Sequence, residues 1–327
     1  MLSTAERWEG GKNRILIIGS TGYLGKYMAK ASISLNYPTY VLVRPESLAP
    51  NSSRAGKLQE LTDMGIRILQ GSLDDHKSLI NAFKQVDIVI SSLAIPQHMD
   101  QLKIIRAIQE VGNIKRFLPS EFGNDVDRVE ALPPFQKVCD DKKVIRRAIE
   151  QAGIPYSFIS ANSFAAYFVD YFIHPRRNPQ PEEVVIYGDG LTKAVLNLED
   201  DVAAFTIMVA NDPRTLNKLV IYRPPGNIIS QSELVSLWEK KTGTTFKRVF
   251  LSESDMINLS ETLPHPDNIP VCVLHNIFVK GDQTNFELGE EELEASRLYP
   301  DYKYTPIEAF LDASISVPRH TKLTSFA

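Results

Sequence analysis

Apolar positions along the chain fall into two rhythms. Arg14-Ile-Leu-Ile-Ile18, Thr39-Tyr-Val-Leu-Val43, Ile66-Arg-Ile-Leu69, Val86 to Ser91, Arg116-Phe-Leu118 and Tyr156 to Ser160 are short runs, rich in β-branched and aromatic residues. Such runs predict buried strands. Between them, Leu24 to Leu35, residues 57 to 64, Ser78 to Lys84, residues 100 to 111 and Lys142 to Ala152 carry apolar residues at helical spacing. Strands alternating with helices predict an α/β fold, a parallel sheet with helices on both faces. Near-continuous apolar strands agree, because such a sheet is buried on both sides.

After Asn162 the alternation breaks. Phe164, Tyr167, Phe168, Tyr171 and Phe172 crowd one stretch, and Pro175, Pro179 and Pro181 interrupt the next. Residues 184 to 199 read as short strands around Gly188-Asp-Gly190. Helical patterns return at 200 to 210, 231 to 241, 253 to 261 and 306 to 313. The pattern therefore predicts a first domain over residues 1–160 and a smaller α/β substrate domain over 161–327 that lends strands back to the first. The tail from Ser316 is expected to be loosely held.

Composition leaves that picture in place and removes others. With 43% hydrophobic and 23% charged residues, the 327-residue chain is ordinary globular material. Lys and Arg number 36 against 40 Asp and Glu, a net charge of −4. No broad basic field exists to hold nucleic acid or anionic lipid. Two cysteines, Cys139 and Cys272, cannot build a disulfide framework and fit a reducing compartment. No signal-peptide pattern opens the chain and no apolar run suits a membrane span, so a cytoplasmic protein is expected.

The first strand runs into Gly19-Ser-Thr-Gly22-Tyr-Leu-Gly25 and then into a helix. Glycines at these spacings permit a tight turn and a close backbone approach to a pyrophosphate at the helix N-terminus. Gly19, Thr21, Gly22, Tyr23, Leu24 and Gly25 are thus candidate cofactor residues, and the fold becomes a Rossmann-type doubly wound sheet. Nineteen positions past Gly25, where an acid would favour NAD, stands Arg44. Its planar fork suits a 2′-phosphate and favours NADP. Arg54 and Lys57 on the next loop are further candidates for that pocket. Asn162, Ser163 and Phe164 follow a strand's C-terminal end, where ligands collect in such sheets.

Short-chain reductases commonly carry a Tyr-x-x-x-Lys pair. Here Val138 stands four residues before Lys142 and Cys139 four before Lys143, so the tyrosine is missing. A lysine working alone as a base needs a pKa well below its ordinary value of about 10.4. Arg146, one helical turn from Lys142, supplies like charge that pushes in that direction. The competing reading is a solvated helix face. His76, His98, His174, His265, His275 and His320 have no ligand spacing, and no Gly-x-Ser-x-Gly elbow occurs. No metal site and no hydrolase is expected.

Five segments carry a resemblance when taken together: Gly19-Ser-Thr-Gly-Tyr-Leu-Gly25, Ser92-Leu-Ala-Ile-Pro-Gln97, Lys115-Arg-Phe-Leu-Pro-Ser-Glu-Phe-Gly123, Lys142-Lys-Val-Ile-Arg-Arg147 and His275-Asn-Ile-Phe-Val-Lys-Gly281. They resemble the plant isoflavone reductase-like family of atypical short-chain reductases, over nearly the whole chain. Within it, Leu93-Ala94-x-Pro96-Gln97 and Ala131-Leu-Pro-Pro-Phe135 look most like the phenylpropene (eugenol and isoeugenol) synthases. The resemblance implies NADPH as cofactor, with Ser92, Leu93, Gln97, Ser120, Glu121, Phe122 and Arg146 among its contacts. It makes Lys142 the general base and sets Ile95, His98, Tyr167 and His275 near the substrate.

The implied activity is reduction of a coniferyl ester, such as coniferyl acetate, to a phenylpropene. Members that form eugenol favour Phe and Ile at the places of Ile95 and His98, and those that form isoeugenol favour Val and Tyr. This chain matches neither pattern, and eugenol is the expected product with isoeugenol the alternative. The expected partner is a small phenylpropanoid ester, and the expected state a monomer or homodimer. A benzylic ether or lignan reductase is the competing enzyme, and a non-catalytic NADP-sensing regulator the competing class.

Overall fold

The computed structural model describes residues 11–49, 51–173, 182–290 and 292–316. The expectations for His174, His320, the three prolines at 175, 179 and 181, and the tail beyond Ser316 lie outside those residues. The first half alternates without a break: β1 (Ile15–Ile18), α1 (Tyr23–Ser34), β2 (Thr39–Val43), α2 (Ala55–Asp63), β3 (Arg67–Gln70), α3 (His76–Phe83), β4 (Ile88–Ser91), α4 (Gln101–Val111), β5 (Arg116–Leu118), α5 (Pro133–Gln151) and β6 (Ser157–Ser160). Five strands pair in parallel in the order β3-β2-β1-β4-β5. This is the predicted doubly wound sheet.

Every residue of β1 and β4 is buried, as a central parallel strand requires. On α4, Ile104, Ile105 and Ile108 form the buried stripe, and Gly112 ends the helix in the left-handed conformation that favours glycine. These isoleucines join Leu16, Ile18, Val89, Phe117, Phe158 and, from α5, Ile145 and Ile149 in one core cluster. Asp87, just before β4, accepts from the backbone N–H and guanidinium of Arg14 and pairs with Lys115. Burial pushes the Asp87 carboxyl up, but those hydrogen bonds outweigh it and hold the pKa down at about 2.

The second half continues with β7 (Ser163–Phe164), α6 (Ala165–Ile173), β8 (Glu183–Tyr187), β9 (Lys193–Asn197), α7 (Glu199–Asn211), β10 (Lys218–Ile221), β11 (Ile228–Ser230), α8 (Gln231–Thr242), β12 (Lys247–Leu251), α9 (Glu253–Thr262) and α10 (Asn268–Phe278). Contacts divide the chain into two compact units. The first holds the chain up to Glu121 together with Asp141–Ile159 and Ala203–Val220. The second holds Phe122–Asp140, Ser160–Val202 and the chain from Ile221 on. Arg116 explains part of the first grouping. Its Nη1 donates to Ser157 Oγ, the Val209 and Asp212 carbonyls and Thr215 Oγ1. In the second unit β9 lies between β7 and β11, and β8 pairs in parallel with β12.

Three helices depart from the predicted pattern: α5, α10 and α6, which forms over the aromatic stretch. α5 begins at Pro133, well before Lys142, because prolines are tolerated in a first helical turn. α10 has no counterpart in the sequence reading. Every residue from Val271 to Phe278 is buried, so it lacks the polar face that makes a helix visible as a period.

Candidate active site

The winding reverses between β1 and β4, the point where sheets of this order bind ligands at their carboxyl ends. The Ser92 N–H donates to the Ile18 carbonyl at 2.8 Å, holding the two strand ends together. Gly19 turns the chain at φ +85°, and a Cβ there would lie 2.4 Å from the Ser92 carbonyl oxygen. A Cβ on Gly25 would lie 2.2 Å from the Gly19 carbonyl oxygen. Neither position admits a side chain, so the backbone folds onto itself around this turn. The Gly22 N–H donates to the Gly19 carbonyl at 2.9 Å. α1 starts at Gly22 with no side-chain cap and no acid in its first turn. A helix start of that kind leaves N–H groups for an anion. Of the remaining turn residues, Leu24 is buried, while Tyr23 meets Tyr27 edge-on.

Lys57 reaches this turn, its Nζ donating to the Thr21 carbonyl at 3.1 Å. Arg44 and Arg54 have local partners: Arg44 pairs with Glu46 at 3.4 Å, and Arg54 donates to Ser47 Oγ at 3.5 Å. The Arg44 side chain is 52% exposed and sits where β2 ends.

A second cluster gathers around Glu121. Lys142 Nζ donates to the Glu121 carbonyl at 2.8 Å. Arg146, one turn along α5, grips the Glu121 carboxylate with Nε and Nη2, both at 2.7 Å. The two side chains are 2% and 3% exposed, and the guanidinium lies 4.9 Å from the Phe158 ring centroid. Ser120 Oγ donates to the Leu93 carbonyl at 2.8 Å, joining this cluster to the segment after β4. In that segment Ile95 is half-buried, Gln97 exposed and His98 buried. His98 Nδ1 meets the Ile95 carbonyl, and Nε2 lies 3.3 Å from the Asp141 carboxylate. Gln101 Nε2 donates to the His98 carbonyl at 3.0 Å, while its Oε1 accepts from the Ser120 N–H at 2.7 Å. Sequence reasoning missed Asp141 and Gln101. Asp141 adjoins Lys142, but nothing in the sequence links it to a histidine 43 positions away.

The other candidates lie in the second unit. Phe122 and Asn162 hold φ of +47° and +57°, left-handed values that a bulky residue adopts at a cost. Asn162 donates its N–H to the Gly123 carbonyl and its Nδ2 to the Tyr222 carbonyl. Ser163 Oγ accepts from Gln283 at 2.8 Å, and Phe164 is half-buried. Tyr167 is 3% exposed, its N–H held by Glu199. Tyr167, Phe168 and Phe172 pack as core, Phe172 meeting Phe278 at 5.2 Å. His275 is 3% exposed, with Nε2 3.1 Å from Glu253 and Nδ1 buried without a partner among the described residues. Also among the described residues, no helix is long and apolar enough to cross a membrane.

A doubly wound sheet with a glycine turn at its switch point, joined through Ser92, Leu93 and Ser120 to a helical lysine, has the build of a nucleotide-dependent oxidoreductase. The chain belongs to the NmrA-like family, whose profile matches residues 11–311, and to its isoflavone reductase-like branch. It is 55% identical to isoeugenol synthase 1 of Petunia hybrida, over 97% of this chain and 98% of that one. A phenylcoumaran benzylic ether reductase of Ginkgo biloba is 50% identical, over 92% and 99%. Eugenol synthase 2 of Clarkia breweri is 46% identical, over 93% and 99%. Among solved structures, one from a study of pinoresinol-lariciresinol and phenylcoumaran benzylic ether reductases superposes with a TM-score of 0.87 at 43% identity, over 92% and 99% of the two chains. The leucoanthocyanidin reductase–NADPH complex from Vitis vinifera gives 0.85 at 36% identity, over 93% and 99%.

Proposed function

We propose that this chain is a cytoplasmic, NADPH-dependent reductase that converts a coniferyl ester such as coniferyl acetate into a phenylpropene. The observation that carries the reading is Lys142. It stands without the short-chain tyrosine, with its Nζ fixed on the Glu121 carbonyl 2.8 Å away. The residues present fit the cofactor. The turn from Gly19 to Gly25 packs backbone on backbone with no space for a side chain at Gly19 or Gly25, and α1 starts uncapped. Arg44, with Arg54 and Lys57 behind it, is the choice for a 2′-phosphate. Two buried cysteines outside any disulfide, Cys139 and Cys272, support a reducing compartment.

In this reading Lys142 takes the proton from the para-hydroxyl of the substrate ring. The phenolate pushes its electrons through the ring, the C–O bond to the acyl group breaks, and the carboxylate leaves with that bonding pair. The organic fragment left is a quinone methide. NADPH, when bound, supplies the hydride that reduces it, becoming NADP⁺. Lys142 then returns its proton to the phenolate oxygen, so ester and hydride balance phenylpropene and carboxylate. Hydride at the benzylic carbon gives eugenol, and hydride at the terminal carbon gives isoeugenol. The protein's part is mainly positioning. Arg146 works at one remove: it fixes Glu121, and Glu121 fixes the lysine. Tyr167 and His275 are carried as substrate contacts on resemblance.

Ile95 and His98 leave the product open between the two patterns. Identity of 55% to an isoeugenol synthase, against 46% to a eugenol synthase, favours isoeugenol. The 50% identity to a benzylic ether reductase favours a second reading, in which the same lysine opens a dimeric phenylcoumaran. One assay separates them: NADPH consumption with coniferyl acetate or with a phenylcoumaran, products identified by gas chromatography. Replacing Lys142 with Ala lowers turnover about 100-fold or more and leaves NADPH affinity near wild type. Unchanged turnover in that variant refutes the assignment.

A further inference from the structure

A closed ring of contacts runs through the first unit and returns to Lys142. From Lys142 Nζ it passes to the Glu121 carbonyl, and from the neighbouring Ser120 N–H to Gln101 Oε1. Gln101 Nε2 then holds the His98 carbonyl, and His98 Nε2 reaches the Asp141 carboxylate, one residue before Lys142. The ring ties three pieces of chain together: the 3₁₀ turn Ile95–Asp100, the loop after β5, and α5. Gln101 is 1% exposed and His98 7%, so the interior links are sheltered from water. The Asp141 link closes the ring.

His98 is held unusually. Nδ1 faces a carbonyl oxygen and Nε2 a carboxylate, so both neighbours are acceptors. A ring carrying both protons satisfies both contacts. Asp141 is the member of the ring whose side-chain oxygen accepts from Nε2.

We propose that Asp141 is a positioning residue that anchors His98, and with it the 95–100 turn, to the helix turn carrying Lys142. The proposal rests on the reading of Lys142 as the base. A substrate ring whose hydroxyl must reach Lys142 is then held in register with the His98 turn. The two carbons that can accept hydride are separated by one carbon of the side chain, so a small slip of the ring exchanges them. Asp141 thereby acts on where the substrate sits and which end is reduced, without touching the reacting atoms.

The test compares wild type, Asp141→Ala and Asp141→Asn, each checked for an unchanged thermal midpoint. Amide hydrogen exchange over residues 95–101 is read without substrate. It quickens about tenfold in the alanine variant and stays near wild type in the asparagine variant, whose amide still pairs with the imidazole. With coniferyl acetate and NADPH, the alanine variant raises KM about fivefold or more and raises the minor regioisomer, with kcat little changed. Asparagine restores both. Unchanged exchange in the alanine variant overturns the anchor whatever the substrate proves to be. Faster exchange with unaltered KM and product ratio overturns the positioning role. A wild type that makes no phenylpropene defeats the functional reading instead, and the exchange result still judges the anchor.

Discussion

Glu121 serves the site with two different groups. Its backbone carbonyl accepts from Lys142 Nζ, and its carboxylate receives the Arg146 fork. Because both charged side chains of the pair are almost fully enclosed, neither tolerates losing the other. Glu121→Gln leaves a buried guanidinium without its counter-charge, and is expected to cost about 3–5 kcal/mol, read as a lower urea midpoint. A variant with the wild-type midpoint would show that the pair is not holding the site. Lys142 was legible in the sequence through the missing tyrosine and the matching segment around it. The partners that fix it were not. Hydrogen bonds from residue 142 to 121 and from 98 to 141 join positions that no local period relates. Arg146 illustrates the limit: its place on the helix was readable, its burial against Glu121 was not.

At the scale of elements, legibility followed chemistry. The strands of the parallel sheet announce themselves as apolar runs, and the glycine turn by its spacing. α10 does not, since it is buried on all sides. The glycine turn is also the element least able to change. Gly25→Ala would drive a methyl group against the Gly19 carbonyl, with nothing flexible to give way. NADPH affinity, measured by titration calorimetry, is expected to fall about tenfold or more, because backbone approach to the phosphates depends on this packing. α8 offers a milder case. Ser230 caps it in a reciprocal box with Glu233. Ser230→Ala should cost about 1 kcal/mol of stability in denaturant unfolding. A cost near zero would mean that water caps the helix equally well.

For the whole molecule, the parallel sheet followed from alternation, while its strand order and the division into units did not. Arg116 accounts for part of that division, its guanidinium donating to acceptors between residues 157 and 215. Asp87 sets a pH dependence on the same body. Its pKa falls from an unfolded value of about 3.9 to about 2 in the fold. A depressed carboxyl stabilises above the unfolded value, and that stability fades as pH drops through the folded one. Wild type should therefore lose about 2 kcal/mol between pH 4 and pH 2 that Asp87→Asn never had, so the two acid-unfolding curves converge at low pH. Parallel curves would exclude Asp87 as the source. The interleaving of the units also bears on how the chain is made. A ribosome that has just released Leu118 has finished the five strands of the parallel sheet, yet Arg116 still awaits its acceptors on Ala203–Val220. The first unit becomes complete only after much of the second has emerged, and its birth is tied to that of its neighbour.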